Sequence, residues 1–164
     1  MSSTLGAVHR PAVMMGDVIP APPRFRFHGE WLLERPRDDL HAQLLDLEHY
    51  VDWWPEVRAV ASLGPDDARV LIRSRLPWTL DLVLHAASRS PELLETTLSG
   101  DLDGYVRWRL FEEGPATRLV FEQEVTVTGR LLGLAAYVVR PLLVWNHDRM
   151  VDSAAARLRS APWQ

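Results

Sequence analysis

The chain has 164 residues, 47% of them hydrophobic, no cysteine and a formal net charge of −4. That length suits one domain whose core needs no staples, and the missing cysteines exclude disulfides, thiolate chemistry and cysteine-bound metal. The 18 basic residues are all arginine and dispersed, so nothing marks a nucleic-acid surface, and without lysine no Schiff base can form.

In chain order, residues 1–23 (MSSTLGAVHRPAVMMGDVIPAPP) show neither strand nor helix periodicity and no basic start ahead of an apolar core. They are expected to form a flexible tail rather than a signal peptide, leaving residues 24–160 as a single domain. Strand 1, Phe25 to Glu34, puts Phe25, Phe27, Trp31 and Leu33 on one face. Pro36 opens a helix with Asp38 and Asp39 in its first turn, where acids favour the helix dipole. A second short helix, about His49 to Trp54, ends at Pro55. Two adjacent tryptophans cannot share a helical face, so one of Trp53 and Trp54 should pack inward and the other stay half exposed. The pair could form a hydrophobic lip or simply pack the helix on the sheet.

Strands 2 to 7 are predicted at Glu56–Leu63, Arg69–Leu76, Thr79–Ser88, Leu93–Gly100, Tyr105–Glu113 and Thr117–Val127, with a turn at Gly64 to Asp67. A turn at Gly114-Pro115 sets Trp108 opposite Phe121 and Arg107 opposite Glu122. A turn about residue 102 sets Thr96 near Trp108 and Glu95 near Arg109, and one about Pro77 sets Arg73 opposite Asp81. Each pairing keeps apolar residues together inside and opposite charges together outside. Ser74, Thr96 and Gln123 are the polar residues on the inner face; ligand, water or neighbouring side chains could satisfy them. No carboxylate falls there.

From Leu131 to Ser160 the pattern is helical, with Pro141 starting or kinking a stretch. Leu143, His147, Met150, Ala154 and Leu158 form the apolar stripe, with Asp148, Arg149, Asp152 and Arg159 opposite. His147 therefore faces the sheet, with Asn146 on its flank. It could be a general acid/base, an anchor for a ligand oxygen, or a neutral core histidine bonded to a strand or to Asn146. No apolar run reaches the ~20 residues of a membrane span, so no integral membrane segment is expected and a cytoplasmic location follows. No nucleotide, zincin or hydrolase motif occurs, and no histidine has metal-ligand spacing, so neither cofactor nor metal is expected.

The order strand, two short helices, six strands and a long helix resembles the START-related helix-grip (SRPBCC) superfamily. Tyr50-Val51-Asp52-Trp53-Trp54-Pro55 is similar to its segment between small helices and sheet. Gly104-Tyr105-Val106-Arg107-Trp108-Arg109-Leu110 and Thr117-Arg118-Leu119-Val120-Phe121 are similar to its sixth and seventh strands. Arg140-Pro141-Leu142 with Trp145-Asn146-His147-Asp148 resembles the final helix of its polyketide cyclase/dehydrase-like branch. The resemblance implies an α+β fold: a seven-stranded curved antiparallel sheet wrapped around the long C-terminal helix. It further implies binding of an apolar small molecule, such as a lipid, isoprenoid or polyketide, between sheet and helix, in a monomer or homodimer. Trp108, Phe121 and Met150 would supply contact area, and His147, Asn146, Gln123, Thr96 and Ser74 would orient the ligand. A polyketide cyclase or dehydratase using His147 as acid/base is the alternative, and a protein-interaction module a further one.

Overall fold

The computed structural model describes residues 22–128 and 140–160. Strand β1 (Arg24–Leu33) is followed by helix α1 (Arg37–Leu45), a 3-10 turn (Leu47–His49) and helix α2 (Tyr50–Trp53). Strands β2 (Val57–Ser62), β3 (Asp67–Ile72), β4 (Leu80–Ser90), β5 (Leu93–Gly100), β6 (Leu102–Glu113) and β7 (Ala116–Val127) precede helix α3 (Arg140–Ser160). All seven strands form one sheet in the order β1-β7-β6-β5-β4-β3-β2, every neighbouring pair antiparallel. This is the expected helix-grip α+β architecture. The expected start of the last helix, residues 131–139, lies outside the described residues, as does the tail up to residue 21. No helix among the described residues is long and apolar enough to cross a membrane.

Alternation decides which way each strand faces. Along β7 burial alternates, with Leu119, Phe121, Gln123, Val125 and Val127 inside and Arg118, Glu122 and Glu124 less covered; Val120 on the outer face is the exception and is also buried. The β6–β7 register is the expected one: Trp108 lies opposite Phe121 and Arg107 opposite Glu122. Two other hairpins pair in a different register from the expected one. Thr96 lies opposite Val106 and Glu95 opposite Arg107, because β6 starts at Leu102 rather than Tyr105. Asp81 lies opposite Leu71 and pairs with Arg69, not Arg73, because β3 ends at Ile72. Pro77 offers no N–H and biases Leu76 toward extended backbone, so the connection from Arg73 to Thr79 leaves the ladder. Both differences are slips of two residues, which preserve the inward and outward faces.

Trp53 and Trp54 are both buried, 7% and 8% exposed. The expected half-exposed partner is absent because Trp54 is no longer helical: its φ of −106° and ψ of 98° turn the chain and swing its ring inward. The indoles stack 5.6 Å apart.

Packing divides the interior into a solid part and a hollow part. Leu33, Leu40, Leu110, Leu119 and Leu158 are fully buried in one cluster with α3, and none of them lines the cavities between sheet and helix described below. Each contributes roughly 1.5–3 kcal/mol by leaving water. Arg35 ties this end together. Its guanidinium donates to the Gln43 amide oxygen at 2.7 Å and to the Leu158 carbonyl at 2.9 Å, and Thr117 Oγ1 donates to the Arg35 carbonyl at 2.8 Å. One of the last carbonyls of α3 thereby gains a cationic partner, as helix ends favour.

Candidate functional site

The hollow part is a cavity of about 380 Å³ between the sheet and α3. Its walls come from alternate residues of the strands: Val70 and Ile72 of β3, Leu80, Leu82 and Leu84 of β4, Leu94 and Leu98 of β5, Val106 and Trp108 of β6, Phe121 of β7. Met150 and Val151 of α3 close it, with Tyr50 and Trp54 at the side. A smaller cavity of about 90 Å³ adjoins it, sharing Ile72, Leu80, Gln123, His147 and Met150, and adds Phe25, Phe27, Ser74, Asn146 and Leu143. Irregular pairing at Ala86/Ser88 in β4 and Val57/Ala59 in β2 bends the sheet near the larger cavity.

All eight residues singled out from the sequence border these spaces. Thr96, Trp108, Phe121, Gln123, His147 and Met150 line the larger one, and Ser74 and Asn146 line the smaller. Ser74 does so from the connection after β3 rather than from a strand. Four of the polar groups are paired with one another. His147 Nε2 donates to the Gln123 amide oxygen at 2.7 Å, and Asn146 Nδ2 donates to Ser74 Oγ at 2.8 Å. Thr96 has no side-chain hydrogen bond among the described residues, so its hydroxyl remains available to a guest.

His147 is 12% exposed at its side chain and stacks on Phe27, ring centres 3.5 Å apart. Burial pushes its pKa down to about 3, because charge would be stranded among aromatic rings. The ring is therefore neutral at physiological pH. Nδ1 is covered by protein and unpartnered; Asp148 Oδ1 lies 3.8 Å away, too far for a hydrogen bond. With the imidazole neutral, that contact is no ion pair. Asp148 itself faces a groove between β1 and α3 that it shares with Glu30, Asp152 and His147. Burial raises its pKa, helped by the neighbouring Asp152 charge.

The Tyr50 hydroxyl donates to the Leu44 carbonyl at 2.5 Å, and burial pushes its pKa far up, so it is fixed and neutral. Among the described residues the charged ones lining the cavity are Asp46, Glu48, Asp66, Asp67 and Arg89, exposed or half-buried and gathered at the mouth. Asp66 is paired with Arg89, His85 with Asp67 at 2.8 Å and His49 with Asp46 at 2.9 Å. The Asp46 hydrogen bond raises the His49 pKa, and that of Arg89 lowers the Asp66 pKa.

Several cavity residues escaped the sequence reading. Val151 follows His147 by four positions on the buried stripe, a helical spacing that could have revealed it. Val57 and Val60 of β2, and the mouth residues from Leu44 to Glu48, carried no such signal. Their place depends on how the two short helices dock.

No family model matches the chain, and no curated protein matches it by sequence. Solved structures do match. A protein of Thermus thermophilus superposes with a TM-score of 0.68 at 18% identity, covering 84% of this chain and 94% of that one. A START superfamily protein from Mycobacterium smegmatis gives 0.67 at 17% identity, covering 82% and 94%. The Zhui aromatase/cyclase from Streptomyces sp. R1128 gives 0.65 at 15% identity, covering 83% and 92%. The chain thus has the START-like helix-grip fold, the fold that a polyketide aromatase/cyclase also uses. At these identities the likeness concerns architecture.

Proposed function

We propose that this protein binds an apolar small molecule, a lipid, isoprenoid or polyketide, in the cavity between sheet and α3. The observation that carries this reading is the cavity's make-up: about 380 Å³ walled by aliphatic and aromatic side chains, with charged side chains, among the described residues, gathered at its mouth. That volume lies within the ~300–1,000 Å³ of pockets that take drug-sized ligands. Thr96 and the two internal hydrogen-bonded pairs give a guest a few polar points of orientation. A cyclase would need a group able to exchange protons with its substrate. His147 has Nε2 engaged, Nδ1 covered and no tendency to charge, which favours a binding role over acid/base catalysis.

Two measurements test the reading. Native mass spectrometry of the protein after exposure to organic cell extracts should show an added apolar mass that denaturation releases. A neutral fluorescent dye such as N-phenyl-1-naphthylamine should bind, and Val106→Trp, which places an indole in the cavity from β6, should weaken it by at least about tenfold. The same variant should retain its fold, since it fills space rather than creating it. Dye affinity unchanged by Val106→Trp would show that the guest sits elsewhere. Turnover of a polyketide substrate that collapses in His147→Leu, with affinity kept, would establish the cyclase instead.

A further inference from the structure

The geometry points to a charge filter: the cavity takes apolar molecules with a neutral or cationic head and discriminates against those ending in a carboxylate or phosphate. This rests on the binding role proposed above and names the ligand class. Two independent features carry it. Among the described residues the interior holds no cation, so an anionic head drawn inside meets aliphatic and aromatic walls and, as free donors, only neutral ones: the Thr96 hydroxyl and the NH2 of Gln123, whose oxygen His147 already engages. A carboxylate in such surroundings exchanges its hydration for one or two neutral hydrogen bonds and no opposite charge. An anion left at the mouth fares no better. There, among the described residues, Asp46, Glu48, Asp66 and Asp67 stand against Arg89, which Asp66 already occupies, and against the imidazoles of His49 and His85, which Asp46 and Asp67 engage. A cationic head, by contrast, can remain at the mouth beside these carboxylates while its chain fills the interior.

Displacement of N-phenyl-1-naphthylamine from the full-length protein near neutral pH tests this with four probes of one chain length, below their micelle concentrations. Dodecanol, methyl dodecanoate and dodecylamine should compete within about threefold of one another, and dodecanoate at least about 30-fold more weakly. Glu48→Arg adds a cation at an exposed mouth position. It should improve dodecanoate by roughly threefold relative to dodecanol at low salt and lose that relative gain at high salt. Dodecanoate competing as well as dodecanol would overturn the filter while leaving the binding role intact. Dodecylamine as weak as dodecanoate would overturn its cationic half, and no salt-dependent gain in Glu48→Arg would overturn the part assigned to the mouth. Failure of the dye and all four probes to bind would sink both the binding role and the filter.

Discussion

As pH falls from neutral toward about 4, the folded state should lose on the order of 3 kcal/mol through one residue, His147. Its imidazole is buried against Phe27 and Phe121, and its pKa is pushed from an ordinary 6.5 down to about 3. Between those two values the unfolded chain takes up a proton that the folded chain refuses. Proton binding then favours unfolding, so this contribution is complete above the unfolded value, declines as pH falls and levels off near about 3. Paired carboxylates such as Asp66 and Asp81, held low by Arg89 and Arg69, also lose their stabilisation on acidification. A variant is needed to separate them. His147→Leu alone would strand the Gln123 amide at a cost of about 1–3 kcal/mol, whereas His147→Leu with Gln123→Leu removes both partners and is near neutral. Denaturant unfolding of the double variant should give a pH slope between about 6.5 and 4 that is shallower by roughly 1 kcal/mol per pH unit. A slope identical to the parent's would mean that His147 already carries its proton when folded.

Gly104→Ala should destabilise the fold by more than about 3 kcal/mol, lowering Tm by on the order of 10 °C. Gly104 sits in β6 opposite both Leu98 and Val125, with φ at +154°. A Cβ there would stand 2.0 Å from the Glu124 carbonyl oxygen and 2.9 Å from Val125 Cα. Both are backbone atoms of β7, so relief requires prying apart the β6–β7 ladder. Gly114 provides the contrast. It lies in the turn between β6 and β7 with φ at +64°, and its Cβ direction meets nothing within 4 Å. Gly114→Ala should therefore cost only the ~1–2 kcal/mol of left-handed backbone. Equal losses in the two variants, measured by thermal melting, would show that the close approach at Gly104 relaxes freely.

The inward faces of the strands were legible because the side-chain period of a strand is two, and burial of Phe121 and Gln123 on one face follows from it. The same period concealed the two-residue slips at Thr96 and Asp81. Alternation distinguishes odd from even registers and nothing finer, and turn chemistry had to decide the rest. At Gly114-Pro115 it did. Around Gly100, where φ is +112°, and at Pro77 the chain turned at a point that composition alone does not fix. The helix placed His147 against the sheet as its position in the apolar stripe implied. What stayed hidden was pairing: His147 with Gln123 and Asn146 with Ser74 join residues far apart in the chain. The burial of both tryptophans was missed for a local reason, since the helix ends one residue earlier than Pro55 suggests.

Those two hydrogen-bonded pairs act on α3 like teeth in a rack. An apolar stripe meeting an apolar wall tolerates sliding, since one leucine contact substitutes for another at little cost. A one-turn displacement of about 5.4 Å would carry His147 past Gln123 and Asn146 past Ser74, leaving four polar groups stranded among aliphatic side chains. The pairs thus hold the helix at one position along its axis, and with it the length of the chamber behind it. On the proposed binding role, the size of guest accepted would then be set where α3 is clamped, at Gln123 and Ser74, as much as by the side chains that line the chamber.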